Sequence, residues 1–145
     1  MKRSLSAVGL CFVLMLGLSR EAGAFDETQL QELQLLGESC PSCDLSWAKL
    51  SKEDLSGRNL TEADLTQAYL NGANLTGANL TNAKLTSAHL GTANLSKANL
   101  TWAELIGANL TGANLTGAIL TDANLIRAIF CDTTMQDGTM DNSGC

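Results

Sequence analysis

Every fifth residue of this chain from position 45 to position 125 is leucine, and Phe130 takes the next place in the series. Alanine usually stands two residues before these leucines, and Ser or Thr usually follows them. Five residues turn an α-helix by about 500°, which would scatter the leucines around its axis. On a strand, residues five apart point to opposite faces. The leucines share one interior only if the chain turns by a similar angle every five residues, so the period predicts a solenoid.

The alanines should also point inward, because residues two apart on an extended segment share a face. The units Ala73-Asn74-Leu75-Thr76-Gly77 and Ala113-Asn114-Leu115-Thr116-Gly117 resemble the A(D/N)LXX pattern of the pentapeptide repeat family. The resemblance runs in unbroken register over residues 43–132. It implies an all-β solenoid, a right-handed quadrilateral β-helix with about twenty residues per coil and about four and a half coils. With neighbouring coils ~4.8 Å apart, the rod would be roughly 20 Å long.

A core ladder of stacked apolar side chains is expected along the axis of this coil. Its members are Leu45, Leu50, Leu65, Leu70, Leu85, Leu90, Leu105, Leu110, Leu125 and Phe130. The two ends of such a rod expose apolar layers that need covers. We expect residues 25–42 to form an N-terminal cap, a short helix N-capped by Asp26 and then a Cys-x-x-Cys turn. Residues 133–145 are expected to form an irregular capping tail.

Residues 1–24 have the features of a secretory signal peptide. Lys2 and Arg3 precede an apolar stretch over residues 5–18, and Ala22-Gly23-Ala24 is a small-x-small cleavage site. The apolar stretch is too short to favour a membrane span. The sequence therefore predicts export with cleavage after Ala24, and the likeness to small exported pentapeptide proteins of cyanobacteria implies the periplasm or the thylakoid lumen.

The charge of the mature chain argues against several partners. Without residues 1–24 it has six basic and fourteen acidic residues, a net charge of −8. Such a surface repels nucleic acid phosphates and anionic membranes. The sequence also contains no nucleophile–base set, no metal-ligand spacing and no phosphate-binding loop, so we expect a protein without cofactor or metal that is not an enzyme.

The mature chain keeps four cysteines, which allow three pairings. In the coil that the resemblance implies, Cys40 and Cys43 lie at one end of the rod, and Cys131 and Cys145 lie at the other. Bridged Cα atoms are usually ~4.4–6.8 Å apart. We therefore expect disulfides Cys40–Cys43 and Cys131–Cys145. The Cys-x-x-Cys motif also allows a thiol-redox function.

Outward side chains twenty residues apart should stack in columns along the rod. Columns of Asn and Thr are expected to hydrogen-bond from coil to coil. Three exposed residues, Trp102, Tyr69 and His89, are candidates for a partner surface. If the tail leaves Phe130 open, Phe130 with Ile119 and Ile129 could also form a patch for an end-to-end homodimer.

These patterns favour an exported, non-catalytic scaffold that binds another, unknown protein. Two alternatives belong to other classes. One is a DNA mimic that inhibits a topoisomerase, which requires acidic columns along the rod, whereas the middle faces of this chain are mostly Asn, Thr and Gly. The other is a thiol-redox protein that uses Cys40 and Cys43.

Overall fold

Parallel bridges between residues twenty apart define the architecture of this protein. The computed structural model describes residues 40–145, and its bridges run from Asp44↔Asp64 to Asn114↔Thr134. Every fifth residue pairs with the residue one coil later, so each coil has four sides of five residues. This arrangement confirms the predicted β-helix solenoid. The predicted signal peptide and capping helix lie outside the described residues.

Each side of the coil is a short extended segment with one bridge residue, followed by one tight turn. The N–H of each leucine from Leu45 to Leu115 donates to a carbonyl in the next coil, as Leu75 does to Asn94 at 2.7 Å. Three residues later the alanine N–H donates back to the leucine carbonyl, as Ala78 does to Leu75 at 3.0 Å. The corner residue, two after the leucine, has a positive φ of 51–69° at every corner from Ser42 to Asp132. Positive φ at the third turn residue is what a type II turn requires.

The four sides are named here by their inward residues. Side 1 contains Leu45, Leu65, Leu85, Leu105 and Leu125; side 2 contains Leu50, Leu70, Leu90, Leu110 and Phe130; side 3 contains Leu55, Leu75, Leu95, Leu115 and Met135; side 4 contains Leu60, Leu80, Leu100 and Leu120.

The interior is a continuous column of leucine and alanine. Leucines from Leu45 to Leu115 are at most 2% exposed, and most alanines between them are fully buried. Burial of one leucine side chain contributes about 1.5–3 kcal/mol, so this column is the main apolar contribution to stability. Two members of the expected core ladder, Leu125 and Phe130, are less buried than predicted, since each is only half-buried. Both lie in the last coil, where no complete coil follows to cover them.

The outer Asn and Thr residues bond mainly within one side rather than along the rod. Asn74 Oδ1 accepts from the Thr76 hydroxyl at 2.7 Å and from its N–H at 3.2 Å. Similar pairs recur at Asn59, Asn79, Asn99 and Asn114. A bond between coils joins Asn74 Nδ2 to Asp54 Oδ1 at 2.9 Å. The local bond is preferred because an Asn side chain readily accepts from the backbone two residues on.

The coil continues beyond Asp132, where the sequence placed its end. Thr133 occupies an inward alanine position, is fully buried, and donates its hydroxyl to the Leu110 carbonyl at 2.8 Å. Two further bonds, Leu115 N–H to the Thr134 carbonyl and Gly117 N–H to the Gln136 carbonyl, keep the register. A threonine replaces alanine here because its hydroxyl finds an acceptor inside the coil.

The tail reverses at Asp137-Gly138 and returns under the last coil. Strand β1 (Thr133–Thr134) pairs antiparallel with strand β2 (Met140–Asp141). Gly144 N–H then donates to the Phe130 carbonyl, and Asp132 N–H donates to Asn142 Oδ1, both at 2.7 Å. A disulfide joins Cys131 to Cys145, with Cα atoms 4.8 Å apart. The tail therefore covers side 2 and the start of side 3.

Thr92 tests the cost of the left-handed corners. It is a β-branched residue at φ 58°, in a column where Gly72 and Gly112 hold the same corner one coil before and after. The left-handed region costs an ordinary residue about 1–2 kcal/mol, and Asn tolerates it better. We expect Thr92→Asn to raise the free energy of unfolding by about 1 kcal/mol in urea titrations. Asn82→Thr, at another corner with φ 57°, should lower it comparably; no change in either variant would contradict this account.

Gly144 tests the docking of the tail. A Cβ at this position would lie 2.7 Å from Phe130 N and 3.0 Å from Phe130 O, which are backbone atoms that cannot move aside. We expect Gly144→Ala to displace the tail and to lower the free energy of unfolding by about 1–3 kcal/mol. Amide hydrogen exchange over residues 138–145 should become faster, whereas Gln136→Ala, a change at an exposed side chain outside this segment, should leave it unchanged. Equal exchange in both variants would show that the contact with Phe130 is unimportant.

Candidate interaction surfaces

The buried side chains of residues 40–145 are almost all leucine and alanine. Thr133 is the one buried polar side chain among residues 40–145. In the same range, no cluster of three or more His, Cys, Asp or Glu side chains could hold a metal ion. The candidate sites lie on the outer faces and at the ends of the described coil.

The Cys-x-x-Cys motif forms the first turn of the coil. A disulfide joins Cys40 to Cys43, with Cα atoms 5.6 Å apart. Cys43 is buried in an inward position, and the N–H groups of Cys40 and Ser42 donate to carbonyls of Asn59 and Thr61, both at 2.8 Å. Pro41 stands at the second turn position, where its fixed φ is favoured. The motif thus belongs to the coil and does not begin a helix.

Trp102 is a large exposed side chain on a corner. It lies at the corner after side 4 with φ 58°, and 56% of it is exposed. Its indole Nε1 donates to Asp122 Oδ2 at 3.0 Å, one coil further along the same column. The hydrogen bond orients the indole along the rod while its ring remains accessible to solvent.

Tyr69 and His89 form a stacked pair on side 2. Their backbones are joined by a parallel bridge, and the ring centroids are 5.0 Å apart with the planes 5° from parallel. Both side chains are exposed. Side 1 lies between this pair and the corner of Trp102, so the structure does not bring the three residues into one site.

Acidic side chains lie beside the Trp102 corner, on side 1. The column of Asp44, Asp64, Lys84 and Glu104 is interrupted by lysine, and Lys84 Nζ lies 4.0 Å from Asp64 Oδ2. The surface charge is therefore a mixed column rather than a continuous acidic stripe.

Asp54, on side 3, has a pKa below its usual value because of local hydrogen bonds. Hydrogen bonds from the Ser56 hydroxyl and N–H hold the pKa of this carboxyl below its usual value, and Asn74 and Arg58 act in the same direction. Asp54 belongs to a column whose next members are Asn74 and Asn94, so this column too has no continuous run of negative charge.

The last coil carries exposed apolar side chains. Ile126 is 63% exposed, Ile119 49%, Ile129 40% and Met140 56%. Sequence reasoning singled out Ile119 and Ile129 with Phe130 but missed Ile126 and Met140. The signal for Ile126 was its place in a column that begins with Ser46, Thr66 and Thr86, where a hydroxyl side chain is usual.

The structure of the described residues includes no helix long and apolar enough to cross a membrane.

Comparisons with known proteins agree with the fold. The family profile "Pentapeptide repeats" matches with eight copies, over residues 42–77, 59–96, 73–112 and 108–143. Among curated proteins, none matches the chain significantly.

Several solved structures are similar. A pentapeptide repeat protein from the Arabidopsis thaliana thylakoid lumen is 30% identical, covers 81% of this chain and 78% of its own, and has a TM-score of 0.68. Rfr23, a pentapeptide repeat protein from the cyanobacterium Cyanothece 51142, is 28% identical over 77% of this chain and 97% of its own, with a TM-score of 0.38. QnrB1, a plasmid-mediated fluoroquinolone resistance protein, is 20% identical over 73% and 75%, with a TM-score of 0.32. The repeat profile and the first of these structures give the same assignment: this chain belongs to the pentapeptide repeat family.

Proposed function

We propose that this protein is an exported, non-catalytic scaffold that binds another protein through the outer surface of its coil. The observation that carries this proposal is Trp102, whose indole is 56% exposed and fixed by Asp122. Tryptophan is enriched among residues that dominate binding energy at protein interfaces. An exposed indole with a fixed orientation suits an interface centre, and the mixed charged column of side 1, with Lys84 and Glu104, lies beside it.

Export is supported by three independent features. The first 24 residues have signal-peptide character, two disulfides are formed within the coil, and one similar structure comes from a thylakoid lumen. Disulfides persist in oxidising compartments and are rare in the cytosol. We infer a periplasmic or lumenal location for the mature chain.

The two alternative functions receive less support. A topoisomerase inhibitor that imitates DNA needs a regular run of negative charge, and here Lys84 and the Asn columns interrupt it. A thiol oxidoreductase needs an accessible nucleophilic sulfur, whereas Cys43 is 8% exposed in an inward position and Cys40 is half-buried. A scaffold that binds another protein requires neither a continuous run of negative charge nor an accessible sulfur.

Replacement of Trp102 tests the proposal. Trp102→Asn removes the indole but keeps a residue that tolerates the corner, since Asn82 holds the same corner one coil earlier. We expect the affinity for a partner captured from the exported fraction to fall at least about tenfold, as for other interface tryptophans. Surface plasmon resonance with the isolated partner measures the change.

The matched control is Trp47→Asn. Trp47 is also a corner tryptophan, with φ 62° and 45% exposure, but it lies at the corner after side 1 in the first coil. It should bind the partner within about twofold of the parent. Equal loss in both variants, or no loss in either, would refute a role for the Trp102 corner.

A further inference from the structure

The last coil has an open backbone edge on sides 4 and 1, over residues 118–127. In the preceding coil, four N–H groups donate to carbonyls of this last coil at 2.7–2.9 Å, those of Leu100, Trp102, Leu105 and Gly107. Within residues 40–145, the corresponding N–H groups of Leu120, Asp122, Leu125 and Arg127 donate to no protein acceptor. A row of such unpaired donors is a template for another strand.

Apolar surface accompanies these donors. Leu120 and Leu125 are half-buried, whereas the equivalent leucines of earlier coils are at most 2% exposed. Ile119 and Ile126 border them at 49% and 63% exposure. The open edge therefore exposes hydrogen-bond donors and hydrocarbon together, and water satisfies only the former.

The other half of the same coil shows what kind of group covers such an edge. On sides 2 and 3 the cover is extended backbone, namely β2 paired with β1 and Gly144 bonded to the Phe130 carbonyl. The open edge continues this covered edge around the coil without a break. A further extended segment bound to the open edge would continue the strand pairing that β1 and β2 already form on the covered half.

We propose that the open edge binds an extended apolar segment of a partner protein, which adds to the coil as a further strand. This inference rests on the proposed function of protein binding and assigns it a second surface and a class of ligand. Strand addition uses main-chain hydrogen bonds for affinity and side-chain contacts for specificity. The segment needs two apolar residues five apart, over Leu120 and Leu125, and between them a Gly, Asn or Asp that turns the corner.

A second copy of the chain is the competing occupant. Head-to-tail stacking would require an open apolar layer at the other end, but Leu45, Leu50 and Leu55 of the first coil are only 1–2% exposed. A tail-to-tail contact between two open edges would need no such layer, and the experiment below distinguishes it.

The test uses a synthetic peptide that copies residues 73–82 of this chain, blocked at both ends and labelled with a fluorophore. The peptide carries Leu75 and Leu80 with Gly77 between them. We expect saturable binding to the mature protein by fluorescence anisotropy. Bound peptide should slow amide exchange at Leu120, Asp122, Leu125 and Arg127 at least tenfold. A peptide with both leucines replaced by serine should not bind.

Two lysine variants locate the site. Ile126→Lys places a charge at the open edge and should weaken peptide binding at least tenfold. Ile106→Lys is the matched control, because Ile106 lies in the same column one coil earlier, away from the edge. It should bind the peptide within twofold of the parent, and circular dichroism should show that both variants are folded.

Three results would overturn the inference. The first is an absence of peptide binding, and the second is equal binding by the two lysine variants. The third is a concentration-dependent mass in light scattering with the same four amides protected without peptide, which would identify a second copy as the occupant. If a partner is captured through Trp102 while the peptide fails to bind, the proposed function stands and the open-edge inference alone fails.

Discussion

The left-handed corner between successive sides is the constraint on which the rest of this structure depends. At nineteen successive corners the backbone has a positive φ of 51–69°. At the corners that follow Leu45 to Leu125, this lets the N–H of the next inward residue, usually alanine, reach the leucine carbonyl three residues before it. Since every corner turns the chain by one side, every leucine faces the axis and bridges join residues twenty apart. Only six of these corners are glycine. At each of the other corners the left-handed backbone is unfavourable for the residue present. Burial of the leucine column and the coil-to-coil hydrogen bonds offset this conformational cost.

The interior could be predicted well from the sequence, because a five-residue leucine period can place every leucine inside only if each side of the coil has five residues. The sequence did not predict the corner conformation, since residues as different as Trp102, Thr92 and Lys97 share it. Local preference is overridden there by the packing of neighbouring coils. The end of the coil was also misplaced, because Thr133 does not match the alanine pattern. Its burial depends on one hydroxyl contact to Leu110, which lies 23 residues earlier in the chain.

The candidate surfaces could be predicted only in part. That Trp102, Tyr69 and His89 face outward follows from their places in the five-residue unit. Which of them lie together depends on the twenty-residue coil, which separates Trp102 from the stacked pair by a whole side. The five-residue unit also places Ile126 outward, but the open edge beside it depends on where the tail lies over the last coil, which no five-residue pattern contains.

The disulfide of the tail explains why one half of the last coil is covered and the other half is open. Cys131 and Cys145 are fourteen residues apart in sequence and bonded, so the segment between them must leave side 2 and return to it. A closed loop of this length reaches side 3 and back, as β1 and β2 show, but cannot also follow sides 4 and 1. In the middle of the rod the backbone donors of each coil bond to the next coil, so the proposed binding there would use side chains such as Trp102. At the open edge the backbone itself is available, and the proposed binding there would depend on the length and register of the added strand.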